Sequence, residues 1–485
     1  MLKHTATRRG CHQTPLRGVQ IHLSAAKRCF VASALDGRAI YCMVPYLLPK
    51  MTLMLLKDRT RIAVPLAALL LTGCHGQAQI TPAVTTPAPE RSTTPMKLHS
   101  KRPAAVLLAS AVLAGGLIPH PARAADAPVW VTGYYMASSQ SEALTPDKID
   151  YSAITHLVHF AIVPKSDGTI ADTAANGLSA VTPAQSAEVV AQAHKHGVKV
   201  LICLGGANSG PAISAAIADG TRAAFIQSLV GFVTTRGYDG LDVDMEPIAP
   251  TDEPNFAAFV HQLRTAMKAA NPQLLLTIPA SGEPGDQPKL CAQLQNDFDQ
   301  INIQTYDLSG AWDGWKTWYN GSLYGDGKTL LTPTRPFPGV DEKVGYYTAA
   351  GIPKSKLGIG IAFYGYVWSG ANGPAQSIQG VKTTTLGYNE IMDQYFQPTV
   401  YRWDALAHAP YLSIGAATNP NRKFVSYDDV RLAREKVLYA RTQCLGGVII
   451  WQLAGGYRAS QPAGRKDLLL EAVKAAAHAP LTANR

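Results

Sequence analysis

Residues 238–247 read YDGLDVDMEP, and the fold and chemistry of the chain are decided by how this stretch is read. In an extended segment successive side chains point to opposite faces, so Leu241, Val243 and Met245 share one side and Asp242, Asp244 and Glu246 the other. Three carboxylates held a few ångströms apart in a low-dielectric site cannot all stay ionised. At least one pKa should rise, and one group should carry a proton at neutral pH, as a general acid must. A solvated acidic edge strand or a metal site would use the same pattern. The apolar residues in front (Phe232, Val233, Tyr238) and the proline after Glu246 favour a buried strand whose carboxyl end opens into a site.

Outward from this stretch the chain has a repeating rhythm. Apolar, β-rich runs occupy residues 129–135, 155–162, 198–204, 238–245, 274–279, 300–306, 357–363 and 447–453. Segments of helical period lie between them, at 186–196, 221–236, 255–270, 428–441 and 466–477. Eight strands alternating with helices predict an α/β fold, a (β/α)8 TIM barrel, with Glu246 at the end of the fourth strand. An open doubly wound sheet is the alternative, but no Gly-rich phosphate turn follows the first strand. After the seventh strand the chain runs to about residue 428 before the next helix. That stretch, about 366–424, carries Tyr366, Trp368, Tyr388, Tyr395, Tyr401, Trp403 and Tyr411. It predicts a small α+β insertion module between strand 7 and helix 7, on the catalytic face.

The chain of 485 residues has a net charge of +10, but the charge is unevenly placed. Residues 1–124 hold 16 Lys+Arg against 3 Asp+Glu; residues 125–485 hold 28 against 31. The basic excess belongs to the leader, so composition gives no support to nucleic-acid binding. Residues 96–124 have a basic start, an apolar run from Ala104 to Ile118, and Ala122-Arg123-Ala124 before Ala125, the layout of a secretory signal peptide. An uncleaved anchor is the alternative. Residues 51–74 offer a second layout ending Leu71-Thr72-Gly73-Cys74, like a lipoprotein signal with Cys74 as the lipidated residue, followed by a Thr/Pro-rich tether over 75–95. The expectation is a true start at Met96, residues 1–95 being a leader without a fold or an over-extended start, and a secreted 125–485 with no stable membrane span. Lipid anchoring at Cys74 is the competing expectation. Cys203, Cys291 and Cys444 lie beyond the leader, too few for a disulfide framework and without zinc-ligand spacing. No metal or cofactor is expected.

These residues carry a resemblance. YDGLDVDMEP resembles the DGxDxDxE signature of the family 18 glycoside hydrolases, the chitinases, and the likeness extends along the domain. VTGYY (131–135), THLVHFAI (155–162), LICLGG (201–206), INIQTYD (301–307) and GIAFYG (360–365) are similar to the family's first, second, third, sixth and seventh strands. WDALAHAPY, FVSYDD and GGVIIWQL resemble its insertion module and closing strands.

The resemblance implies a retaining hydrolysis of β-1,4 bonds between N-acetylglucosamine units, in which the substrate's own N-acetyl group attacks the anomeric carbon. It implies Glu246 as the acid and then the base, and Asp244 as the group that orients the acetamido N–H. Asp242 would share a proton with Asp244, and Tyr306 would bond the acetamido carbonyl, with Asp307 gripping substrate beside it. Trp451 would floor the site, Tyr134 would line the same pocket, and Gln304 would replace a frequent Met beneath the acetamide. Cys203 stands where the family usually has a Ser that helps hold the aspartate pair, and a thiol is a weaker hydrogen-bond partner.

Among Trp312, Trp315, Trp318, Tyr319 and Tyr324, Trp312 has the family's spacing from the Tyr-Asp motif. For this cluster a sugar platform and a satellite core are both open. The partners implied are chitin or chitooligosaccharides, bound by a monomer. A chitin-binding lectin of the same fold, and an endo-β-N-acetylglucosaminidase or peptidoglycan hydrolase, are the alternatives.

Overall fold

The computed structural model describes residues 128–480, apart from residues 166, 171–180, 284, 326–329 and 333–334, together with five strands between residues 19 and 65. The chain divides into two compact units, Met1–Val112 and Leu113–Arg485.

In the first unit Val19–Ser24, Cys29–Ala34, Ala39–Met43, Thr52–Lys57 and Thr60–Pro65 pair antiparallel in chain order. Runs such as VQIHLS and TLMLLK are apolar and rich in strand formers, and adjacent runs pair locally. The Cys74 lipidation site, the 75–95 tether and the 96–124 signal peptide lie outside the described residues.

In the second unit eight parallel strands close into a barrel: β1 (Trp130–Met136), β2 (His156–Ile162), β3 (Lys199–Gly206), β4 (Gly240–Met245), β5 (Leu275–Ser281), β6 (Gln300–Gln304), β7 (Leu357–Ala362) and β8 (Gly447–Trp451). All eight runs read from the sequence are strands of this barrel, a (β/α)8 fold. Parallel strands are covered on both faces, which is why they read as nearly continuous apolar runs. Every residue of β4 is buried, and every residue of β3 after Lys199.

Alternation sorts the side chains into two layers. Val200, Ile202, Leu204, Leu241, Val243 and Met245 belong to the main core outside the barrel wall, packed with the helices. Tyr134, Phe160, Leu201, Cys203, Tyr306 and Ile449 form a smaller cluster inside it. The helices Pro183–Lys195, Arg222–Thr235, Glu253–Ala270, Val430–Thr442 and Leu468–His478 fall where the helical period put them. The first is opened by a reciprocal cap, in which Thr182 and Gln185 satisfy each other's backbone N–H groups. Gly210–Ala216, Gln287–Leu294 and Val340–Ala349 are further helices that the periodicity did not reveal.

Between β7 and the helix Val430–Thr442 lies a five-stranded antiparallel sheet of Tyr364–Ser369, Lys382–Gly387, Tyr401–Asp404, Ala409–Ile414 and Lys423–Tyr427, with the helix Tyr388–Gln394. Its core is aromatic and shared with the loop after β6: Trp318, Tyr319 and Phe337 pack with Trp368, Ala409 and Phe424. The Trp318 and Phe337 rings stack at 3.9 Å. Trp318 and Tyr319 thus resolve as satellite core, because the sheet covers them. The sheet is tied to the barrel by a buried ion pair, Lys436 Nζ to Asp428 Oδ2 at 2.6 Å, and the same carboxylate oxygen accepts the Ala362 N–H of β7 at 3.1 Å.

Candidate active site

The carboxyl ends of the barrel strands surround a cavity of about 410 Å³, lined by Asp244, Glu246, Gln304, Tyr306, Asp307 and Trp451 among others. Asp242, one turn of the pleat below, is fully buried and does not reach it. Parallel register sets Cys203 of β3 and Thr277 of β5 on either side of Asp242. Thr277 Oγ1 donates to Asp242 Oδ1 at 2.5 Å and Tyr134 Oη donates to Oδ2 at 2.8 Å, with the Cys203 thiol as a third donor. Burial pushes the Asp242 pKa up to about 6, and these three donors, which favour the charged form, limit the rise.

Asp244 is held differently. Its carboxyl is buried, and no donor among the described residues reaches Oδ1. Desolvation, then the charge and hydrogen bond of Glu246, then the charge of Asp242 drive its pKa well above the usual carboxylate range. The two acids nearest it, Glu246 and Asp242, thus both disfavour the charged form of Asp244. The sequence reading paired Asp244 with Asp242. In the structure both Glu246 and Asp242 act on Asp244, Glu246 the more strongly, while Asp242 is engaged by donors from β1, β3 and β5.

Glu246 follows the last residue of β4 and is half-buried. Gln304 Nε2, from the end of β6, donates to its Oε1 at 2.7 Å. Gln304 therefore acts on the acid as well as lining the cavity, a contact that strand adjacency alone does not reveal.

Tyr306 packs its ring in the inner cluster and edge-on to Tyr364, with ring centroids 6.0 Å apart. Asp307 takes a left-handed backbone (φ 54°) that turns its carboxyl toward the module. There Oδ1 accepts from Tyr364 Oη at 2.5 Å and Tyr366 Oη at 2.7 Å.

Trp451 floors one wall, packed edge-on against Phe160 at 4.8 Å and tilted over Tyr134 at 5.4 Å. Tyr134 itself is 1% exposed and lies under Trp451, so it supports Asp242 rather than lining the pocket, contrary to expectation. Strand alternation gave its face correctly but not its depth. Trp312 is 48% exposed, edge-on to Trp315 at 4.5 Å, and stands outside the central cavity.

Sequence reasoning missed Thr277, Asn208, Tyr364 and Tyr366. The Tyr-Gly-Tyr alternation at 364–366 was the available signal for the last two, since it sets both phenols on one face.

A second cavity of about 600 Å³ shares Asn208, Glu246, Ser281, Glu283 and Gln304 with the first. A third, of about 340 Å³ on the module side, shares Met136, Asp307 and Trp451. Together they form a groove with Glu246 inside it. Among the described residues no group of three or more His, Cys, Asp and Glu is placed to hold a metal ion, and no helix is long and apolar enough to cross a membrane.

A closed parallel barrel with its acidic cluster at the carboxyl ends of the strands has the architecture of the (β/α)8 enzymes. Residues 131–456 match the sequence pattern of Glycosyl hydrolases family 18, and the chain belongs to that family.

A probable endochitinase of Caenorhabditis elegans is 30% identical over 277 residues, and chitinase A1 of Niallia circulans 31% over 271. These alignments take in 53% and 48% of this chain but only 43% and 37% of those proteins, so the chain spans less than half of either. In three dimensions the chain is similar to the group IV chitinase of Ostrinia furnacalis in complex with allosamidin, at TM-score 0.59 and 24% identity, over 71% of this chain and 97% of that one. It is also similar to a family 18 N-acetylglucosaminidase of Paenibacillus barengoltzii, at TM-score 0.57 and 25% identity, over 72% and 99%.

Proposed function

We propose that this protein hydrolyses β-1,4 bonds between N-acetylglucosamine units of chitin or chitooligosaccharides, with retention, the substrate's N-acetyl group acting as nucleophile. The observation that carries this reading is Asp244: a buried carboxyl with an oxygen unpartnered among the described residues, its pKa raised by burial and by Glu246, in a cavity that Trp451 also lines. A proton passed from Asp244 to Glu246 would let Glu246 deliver it to the glycosidic oxygen. Delivery would leave both carboxyls ionised, with Asp244 the anion beside the acetamido nitrogen, where positive charge develops. Tyr306 would hold the acetamido carbonyl against the anomeric carbon, and Trp451 would take the apolar face of the sugar. Asp307, Gln304 and, further out, Trp312 would bind the rest of the chain.

Cavities on both sides of Glu246 suit a substrate that continues in both directions, which supports cleavage within a chain. The layout of residues 96–124 supports export, with the mature protein beginning at Ala125.

The test is release of fluorophore from chitobiose and chitotriose glycosides. Wild type cleaves, and Glu246→Gln loses at least about a thousandfold in kcat. Binding of chitooligosaccharide by a wild type that never cleaves would replace this reading with the lectin. Cleavage confined to glycoprotein N-glycans or to peptidoglycan would replace it with the other hydrolases.

A further inference from the structure

We infer that Ser209, in the loop after β3, is a positioning residue that fixes the distance between the Asp244 and Glu246 carboxyls by bracketing the backbone between them. The inference rests on the hydrolase reading for its consequence and on geometry alone for its mechanism. β3 and β4 stay in register to their last residues, with Gly205 opposite Asp244 and Gly206 opposite Met245, and there the ladder ends. Beyond it the backbone of Glu246 has no strand partner. Ser209 takes over: its Oγ donates to the Asp244 carbonyl at 3.0 Å and accepts the Glu246 N–H at 3.2 Å. One hydroxyl thus spans both peptide units flanking Met245. The next residue adds a third tie, the Gly210 N–H donating to the Glu246 carbonyl at 2.8 Å.

The surroundings are cut to this contact. A Cβ on Gly205 would come within 2.2 Å of the Asp244 carbonyl and 2.8 Å of Ser209 Oγ, and one on Gly210 within 2.4 Å of the Pro247 carbonyl. Loop and strand end approach as closely as backbone permits, which glycine allows. Ser209 is 1% exposed, so its hydroxyl is shielded from bulk solvent. The same loop holds Asn208 in a left-handed conformation, φ 64°, as part of the wall shared by the two cavities that meet at Glu246.

The side chains of Asp244 and Glu246 point to one face from adjacent ends of this bracketed segment. Rotation of either peptide would move the two carboxyls relative to each other. No donor among the described residues reaches Asp244 Oδ1, so its alignment with Glu246 leans on the backbone. Cys203 and Thr277 fix Asp242 from its sides; Ser209 fixes the other two acids from behind.

The experiment compares Ser209→Ala and Ser209→Thr with wild type by two readouts. With a fluorogenic chitotriose glycoside, Ser209→Ala lowers kcat by tenfold or more, changes KM by less than threefold, and displaces the pH–rate profile. Ser209→Thr, which keeps the hydroxyl, recovers at least half of the kcat. Independently of turnover, the carboxyl ¹³C titration of the Asp244–Glu246 pair in the resting protein moves by half a pH unit or more in Ser209→Ala and stays put in Ser209→Thr. Unchanged titration curves in Ser209→Ala overturn the inference whatever the activity, as does a kcat within twofold of wild type. A wild type that does not hydrolyse the glycoside defeats the hydrolase reading alone, because the titration still decides the role of Ser209.

Discussion

Asp242 shows how three ordinary side chains set the state of one acid. Tyr134, Thr277 and Cys203 donate to it from β1, β5 and β3, and burial still wins, leaving its pKa near 6, above the ordinary 3.8. Cys203 is the weakest donor of the three. Cys203→Ser should strengthen the support of the ionised form and lower the Asp242 step by on the order of half a pH unit, shifting the acid limb of the pH–rate profile downward. Thr277→Val should move the same limb upward. A limb that stays fixed in both variants would mean that Asp242 does not control it.

The raised pKa also has a stability consequence. The folded protein keeps a proton on Asp242 over a range where the unfolded chain releases it, so this group's contribution is full below about pH 4 and is lost as pH rises through about 6. Asp242→Asn cannot ionise. Its thermal stability relative to wild type should therefore be more favourable at pH 8 than at pH 4, by about 1–3 kcal/mol. A difference that does not change with pH would contradict the assignment. Of this arrangement the sequence displays the acids and their common face, because strand alternation is a local rule. It does not display Thr277 as a partner of Asp242, because inter-strand register is set by the closed barrel. Nor does it show Tyr134 beneath Trp451, since depth within the barrel follows from how layers of side chains stack.

At the scale of elements, the strands are legible in the sequence and the shorter helices are not. A parallel strand buried on both faces announces itself as an apolar run. Gly210–Ala216 spans less than two turns and opens on Gly-Pro, so no helical period develops. The module's attachment is equally hidden: Asp428 and Lys436 look like ordinary surface charges until the sheet buries them. Lys436→Met should cost about 3–5 kcal/mol by leaving Asp428 buried without its cation, and the double variant with Asp428→Asn should recover most of it. Thermal unfolding of the two variants checks this. Equal losses in single and double variants would show that the pair contributes packing only.

At the scale of the catalytic unit, the barrel supplies the acids and the module supplies a wall. Tyr364 and Tyr366 reach from the first module strand to Asp307, joining the module-side cavity to the central one. The aromatic residues after β6 divide according to what covers them: Trp318 and Tyr319 are core, and Trp312 stays exposed. Sequence shows the aromatic richness but not which rings the sheet will bury. Trp312→Ala should raise KM for chitopentaose about tenfold while leaving cleavage of a chitobiose glycoside within twofold, because the ring lies beyond the central cavity. An equal effect on both substrates would place it at the reacting sugar.

The central claim is that an acid pair and the substrate's own acetamide do the chemistry. The most direct measurement is ¹H NMR of the reducing ends first released from chitotetraose, read before mutarotation. Two successive inversions at the anomeric carbon predict the β-anomer in excess. An excess of the α-anomer, or no new reducing end from active, folded protein, would contradict the account.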